Sequence, residues 1–162
     1  GVVGVVLGVA LCHLGLGARL LKPIGLGWLV GAGERSAFNP LEQLAANPAW
    51  AYGSLAIRFF GLAAVVPVIE EFFLRGFLMR YVVNDQWWNV PFGVVNRTAV
   101  IVGTGVPMLM HPGELLAAFV WFSLVTWLMI RTRNIWDCVV AHAVTNFLLG
   151  VYVVASGHWE LM

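Results

Sequence analysis

Six side chains could do most of the chemistry available to this chain: Glu70, Glu71, Arg75, His111, His142 and Asn146. All of them lie in or beside apolar runs long enough to sit in a membrane. A charge at bilayer depth costs about 2.5–3.5 kcal/mol or more, so a charged residue there is first read as functional. Helical spacing divides the acidic pair. Glu71 and Arg75 are i,i+4 with the acid on the N-terminal side, the better orientation for an ion pair. Glu70 is rotated by about 100° from Glu71 and cannot easily share that arginine. The division expected is a neutral Glu71–Arg75 strut and a Glu70 free for other work. A carboxylate of that kind can take a proton from water and later return it, the work of a general base.

His142 and Asn146 are also i,i+4, and Cys138 lies one turn earlier on the same face. His142 stands nine residues beyond Arg133, about 13 Å along a helix, and so well inside a bilayer. Polar side chains at that depth line an interior cavity or a helix contact. His111 precedes Pro112 at a chain break, where backbone carbonyls are unpaired and face protein or water. Together, one carboxylate, two imidazoles and a carboxamide can activate a water and hold an oxyanion. The bland alternatives are a buried charge network that only fixes helix packing and a simple interhelical hydrogen bond. Metal chemistry is a third. HExxH is absent, but Glu70, His111, His142 and Cys138 are all competent ligands. Serine chemistry is weak: there is no GxSxG, and Ser36, Ser54, Ser123 and Ser156 have no placed partner.

The elements that must position these residues follow from composition. The chain is 60% hydrophobic and 10% charged, with mean hydropathy +0.87. Soluble domains carry roughly 25% charged residues, so the expectation is an all-α, polytopic transmembrane helical bundle of about five to six helices, forming one domain over residues 1–162. A net charge of +1 gives no basic footprint for nucleic acid. The two cysteines, Cys12 and Cys138, make neither a disulfide framework nor a CxxC site. The chain starts at Gly1 without an initiator Met, as a fragment lacking an upstream helix would, and residues 1–16 lack the flanks of a secretory signal.

In chain order, residues 1–16 read as a helix ended near Gly17, with Gly4-xxx-Gly8 permitting close packing and His13 packed or interfacial. Residues 20–30 are too short to span alone. Residues 31–48 form a polar loop with a short amphipathic helix over 40–46, bracketed by Asn39-Pro40 and Asn47-Pro48 as turn signals. Residues 49–83 would measure about 52 Å as one helix, against a hydrocarbon core of about 30 Å. Pro67 is the expected break, with one helix before it and a second carrying Glu70 to Val83. Residues 84–89 form an interfacial loop with Trp87 and Trp88 at headgroup level. Residues 92–110 are another apolar run, 115–130 a transmembrane helix, 131–134 a basic cytoplasmic turn, and 135–156 the last helix.

The order Glu70-Glu71-xxx-Arg75, His111, His142-xxx-Asn146 across successive apolar segments resembles the CPBP family, the CAAX-protease and bacteriocin-processing (Abi-type) intramembrane proteases. The resemblance covers about residues 55–150. Pro107 stands where the family's second motif usually has Phe, and the His111-Pro112-Gly113-Glu114 run is similar to a CAAX-protease-related branch found with bacterial protein-sorting systems. The resemblance implies a glutamate-type endopeptidase in a bacterial inner membrane. Glu70 would be the base, His111 would help hold the water, and His142 with Asn146 would bind the oxyanion. Its implied partners are the bilayer and a membrane-associated peptide: prenylated, sorting-signal or bacteriocin-leader substrates all stay open. Family members are described both with and without a metal. The metal-independent form, with no cofactor, suits Asn146, a poor zinc ligand and a useful donor; a zinc-like ion on Glu70, His111 and His142 is the alternative. A non-catalytic scaffold or transporter-like protein is the other. One tension stands: if helix 115–130 spans straight, His111 and His142 differ by about 15 Å in depth.

Overall fold

The computed structural model describes residues 1–14, 19, 22–25, 27–28 and 37–162. Among these residues the chain is all-α, with no strand. The helices are α1 (Val2–His13), α2 (Pro40–Gln43), α3 (Pro48–Tyr81), α4 (Arg97–Leu109), α5 (Leu115–Thr132) and α6 (Ile135–Ser156). Among the described residues three segments are long and apolar enough to cross a membrane: Pro48–Tyr81, Pro112–Thr132 and Ile135–Ser156. The shorter apolar helices α1 and α4 pack among them. Gly17, residues 20–21 and 26, and residues 29–36 lie outside the described residues.

Local chemistry sets most of the boundaries. The two Asn-Pro signals act as helix starts: Asn39 Oδ1 accepts from Leu41 N–H and Asn47 Oδ1 from Trp50 N–H, each with proline in the first turn. The helix opened at Pro40 ends at Gln43, short of the expected 46. Asn96 caps α4 through Ala99 N–H at 2.7 Å, and Asn134 caps α6 through Trp136 N–H at 3.1 Å. The basic turn is two residues long: Arg133 takes the left-handed conformation at φ 53° and bonds Met129 O, and Asn134 starts the next helix. α1 ends at His13, earlier than expected. His13 itself bonds the Tyr152 hydroxyl and lies edge-on to His158, so it is an exposed histidine in a small ring cluster with those two residues.

Pro67 does not break the chain. Pro48–Tyr81 is one continuous helix of 34 residues. It absorbs the proline with a π turn, Gly61–Val65, in which Val66 N–H bonds Gly61 O five residues back. A second wide stretch, Phe72–Leu78, follows, with Met79 N–H bonding Leu74 O. Widened turns re-route the ladder around a residue that cannot donate, so the helix bends its hydrogen bonds rather than ending. At about 51 Å it is longer than a hydrocarbon core.

α6 is the centre of the bundle, packing against α1, α3 and α5, while α4 lies along α5. Met79, Ala99, Val125, Met129 and Cys138 form one buried cluster, and Leu74, Ala118 and Phe122 a second. Ile57, Phe60, Ile69, Ile101 and Trp127 are exposed, the pattern of a lipid-facing surface. The glycines of α1 have divided roles. A Cβ at Gly4 would lie 2.2 Å from the Trp121 ring, whereas a Cβ at Gly8 meets nothing within 4 Å. Only Gly4 therefore serves close packing; Gly8 opens space. Gly4→Ala should be less stable than Gly8→Ala by about 1–3 kcal/mol, the usual cost of overpacking, with Gly8→Ala neutral or up to about 1 kcal/mol stabilising through helix propensity. Thermal unfolding of the two variants in detergent reads the difference.

Candidate active site

The chemistry-bearing residues meet where α3, α5 and α6 pack, beside the end of α4. Glu70 and Glu71 fall in the regular turn Val66–Glu71 between the two π stretches, and their side chains diverge. Glu71 is fully buried, while Glu70 is part-exposed and lines a cavity.

Glu71 is the hub of a network larger than the expected strut. Its Oε1 accepts from Arg75 Nη1–H at 3.2 Å and from His142 Nδ1–H at 2.9 Å. Arg75 Nε lies 3.2 Å from Glu71 Oε2, a charge contact too poorly angled to be a hydrogen bond. Arg75 Nη2 also donates to Phe122 O at 3.4 Å, and the guanidinium stands over the Phe122 ring at 5.3 Å. Glu71 and Arg75 are both 0% exposed. The sequence pairing of Glu71 with Arg75 is present; the link to His142 was not anticipated, because nothing in helical spacing connects residues on different helices.

His111 sits at the turn between α4 and α5, and its ring folds back so that Nδ1 lies 2.8 Å from Pro107 O. This i−4 contact carries the imidazole back against the last turn of α4, to within 5.5 Å of the Phe122 ring. His142 approaches the same ring from α6 at 6.2 Å and Trp121 at 6.0 Å. Both histidines border the Phe122 ring and so lie closer together than the separation of about 15 Å that a straight helix would impose. A carbonyl and a carboxylate can only accept, so both rings donate from Nδ1 and keep Nε2 for other partners.

Asn146, one turn beyond His142, donates from Nδ2 to Leu62 O at 2.9 Å. The amide is therefore oriented with nitrogen toward Leu62, since the reverse would set two acceptors against each other.

Glu70, His111, His142 and Asn146 line one cavity of about 180 Å³. Gly8, Val66, Ala118, Trp121 and Leu149 form much of its apolar wall, and Glu114 and Cys12 also border it. Its volume would hold several water molecules, at about 30 Å³ each. Cys138 is elsewhere. It is buried among Met79, Val125 and Met129, with its thiol near Val125 O and Asn134 O, so its position on the His142 face does not bring it to the cavity. Among the described residues no three His, Cys, Asp or Glu side chains gather as a metal-ligand set. The alternative ligand trio Glu70, His111 and His142 shares the cavity without forming such a set. Phe122 and Leu62 were invisible to sequence reasoning: an apolar residue in an apolar run carries no signal, and a main-chain carbonyl carries none at all. Glu114 stood next to His111 in sequence and could have been weighed with it.

No curated protein and no solved structure matches the chain. A family model does: type II CAAX prenyl endopeptidase Rce1-like, over residues 52–148. That range covers more than half of the chain, from the second turn of α3 into α6, and includes Glu70, His111, His142 and Asn146. The chain accordingly belongs to the Rce1-like family of type II CAAX prenyl endopeptidases and is an integral membrane protein.

Proposed function

We propose that this chain is an intramembrane endopeptidase of glutamate type, acting on a membrane-associated peptide or protein. The observation that carries the reading is the shared cavity of Glu70, His111, His142 and Asn146. Water sits between the Glu70 carboxylate and His111 Nε2, which accepts because Nδ1–H is committed to Pro107 O. Glu70 takes a proton from that water as the oxygen attacks the substrate carbonyl. The resulting oxyanion receives hydrogen bonds from His142 Nε2–H and from the second Nδ2–H of Asn146, with the Glu71 carboxylate behind His142 fixing the orientation of the ring. Glu70 then hands its proton to the leaving amine, and the peptide bond is broken with net addition of one water. The two histidines differ in their partners: His111 Nδ1 faces a backbone carbonyl and His142 Nδ1 a carboxylate.

The chain acts as a single membrane-embedded domain, and prenylated or sorting-signal peptides are its substrate class. Its place is a bacterial inner membrane, on the strength of the resemblance of its His111 motif. The test is cleavage of a quenched-fluorescent prenylated peptide by the purified protein in detergent. His111→Ala and His142→Ala should each lower kcat/KM by about 10²–10³-fold. Wild-type rates in both variants would end the proposal.

A further inference from the structure

The π turn at Gly61–Val65 leaves one carbonyl without its ladder partner. Val66 N–H is engaged with Gly61 O, so the next donor in the same register, to Leu62 O, would be the N–H of residue 67. Residue 67 is proline and has none. Leu62 O instead receives Asn146 Nδ2–H at 2.9 Å, from a residue 84 positions along the chain. Pro67 is fully buried, and Leu62, Val66 and Asn146 all border the cavity. A freed carbonyl at a helix irregularity is satisfied by a neighbouring element or by cavity water, and here the partner is the Asn146 amide.

We infer that Pro67 is a positioning residue for Asn146, acting through the Leu62 carbonyl. The inference rests on the oxyanion role proposed above for Asn146. An acceptor that no backbone N–H can claim holds one Nδ2–H and prevents the amide from flipping. The other Nδ2–H is then presented to the cavity without a search over rotamers, which is what an oxyanion donor needs. Pro67→Ala gives Leu62 O a backbone donor, either in the π register from residue 67 or from Val66 if the turn relaxes to an α register. Asn146 then loses its fixed partner although its own side chain is unchanged.

The experiment measures cleavage kinetics, thermal stability and the side-chain amide resonances of Asn146 in ¹⁵N-labelled protein in detergent. Pro67→Ala should lower kcat about tenfold to a hundredfold with KM within about twofold. Its unfolding temperature should be unchanged or higher, because a helix gains a hydrogen bond. The Asn146 amide resonances should move. Asn146→Ala should lower kcat about 10²-fold, and Pro67→Ala should add nothing in that background. An Asn146→Ala variant with wild-type kcat would remove the oxyanion role, while the resonances still report on the anchor. Impaired Asn146→Ala beside a Pro67→Ala variant with wild-type kcat, or effects that multiply in the double variant, would overturn the Pro67 inference alone. Should Pro67→Ala not fold, the carbonyl resonance of Leu62 in protein labelled with ¹³C-carbonyl Leu and ¹⁵N-Ala decides the matter: it shifts in Asn146→Ala if the anchor exists and stays in place if it does not.

Discussion

Glu70→Gln should abolish peptide cleavage and leave the bundle folded. The substitution keeps the size of the side chain and removes only its ability to accept a proton. A positioned base contributes about 10²–10⁴-fold, so kcat/KM should fall by about that factor. Stability should hold because Glu70 is not part of the buried network: its neighbour Glu71, not Glu70, bonds Arg75 and His142. Glu70 also remains part-exposed to the cavity, and changes away from a packed or charge-paired feature are usually within about 0.5 kcal/mol. Activity on the prenylated peptide and a thermal melt in the same detergent make the comparison. Loss of folded protein in Glu70→Gln, rather than loss of turnover, would mean that the carboxylate serves packing. Wild-type turnover would remove the glutamate mechanism.

The opposite pattern is expected one residue on. Glu71→Leu leaves the Arg75 guanidinium at zero exposure with only Phe122 O and the Phe122 ring for company. Removing one partner of a buried pair costs about 3–5 kcal/mol, because the other charge stays buried. Against a total stability of about 5–15 kcal/mol, that is enough to lower the unfolding temperature sharply or to prevent accumulation of folded protein. The double variant Glu71→Leu with Arg75→Met separates charge from chemistry. Replacing both members of a buried pair by apolar residues of similar volume is often neutral or stabilising, so the melt should recover. Turnover should not, because His142 Nδ1 has lost the carboxylate 2.9 Å away that orients its ring. A drop of about tenfold or more in kcat with recovered stability is the expected signature. Recovery of both would reduce Glu71 to a packing element.

These two predictions turn on a distinction only partly legible in the chain. Adjacent glutamates in a helix must point about 100° apart, and an arginine four residues on selects one of them. That much is local geometry, and Glu70 and Glu71 do diverge as the period requires. The identity of the partner on the other side of Glu71 is not local. His142 is 71 residues away, and no periodicity relates it to Glu71.

The same boundary between local and non-local runs through the fold. The two Asn-Pro pairs were readable as turn signals because the signal is side chain to backbone within three residues, and Asn39 and Asn47 do cap there. Asn96 and Asn134 cap by the same chemistry without having been singled out, and the apolar run expected from residue 92 becomes helix only at Arg97. The last helix, Ile135–Ser156, has the bounds expected from its apolar run, stopped by Gly157 at φ 78°. Pro67 misled because proline's missing N–H is a local fact whose consequence is not. Whether it ends a helix depends on whether another element can satisfy the carbonyl it frees, and Asn146 on α6 does so.

By itself, then, the sequence determined an all-α membrane bundle, the two Asn-Pro turns, the sharing of faces by Glu71 with Arg75 and by His142 with Asn146, and the family to which the chain belongs. The tertiary structure decided which faces meet. It brought His111 back along α4 to Phe122, turned His142 toward Glu71, left Cys138 in the core, and gathered four polar side chains around one cavity. The physical reason is that helical period and capping act over one turn, about 5 Å, whereas the partners of a buried polar group are chosen by packing across the bundle, where an unpaired group is too costly to leave.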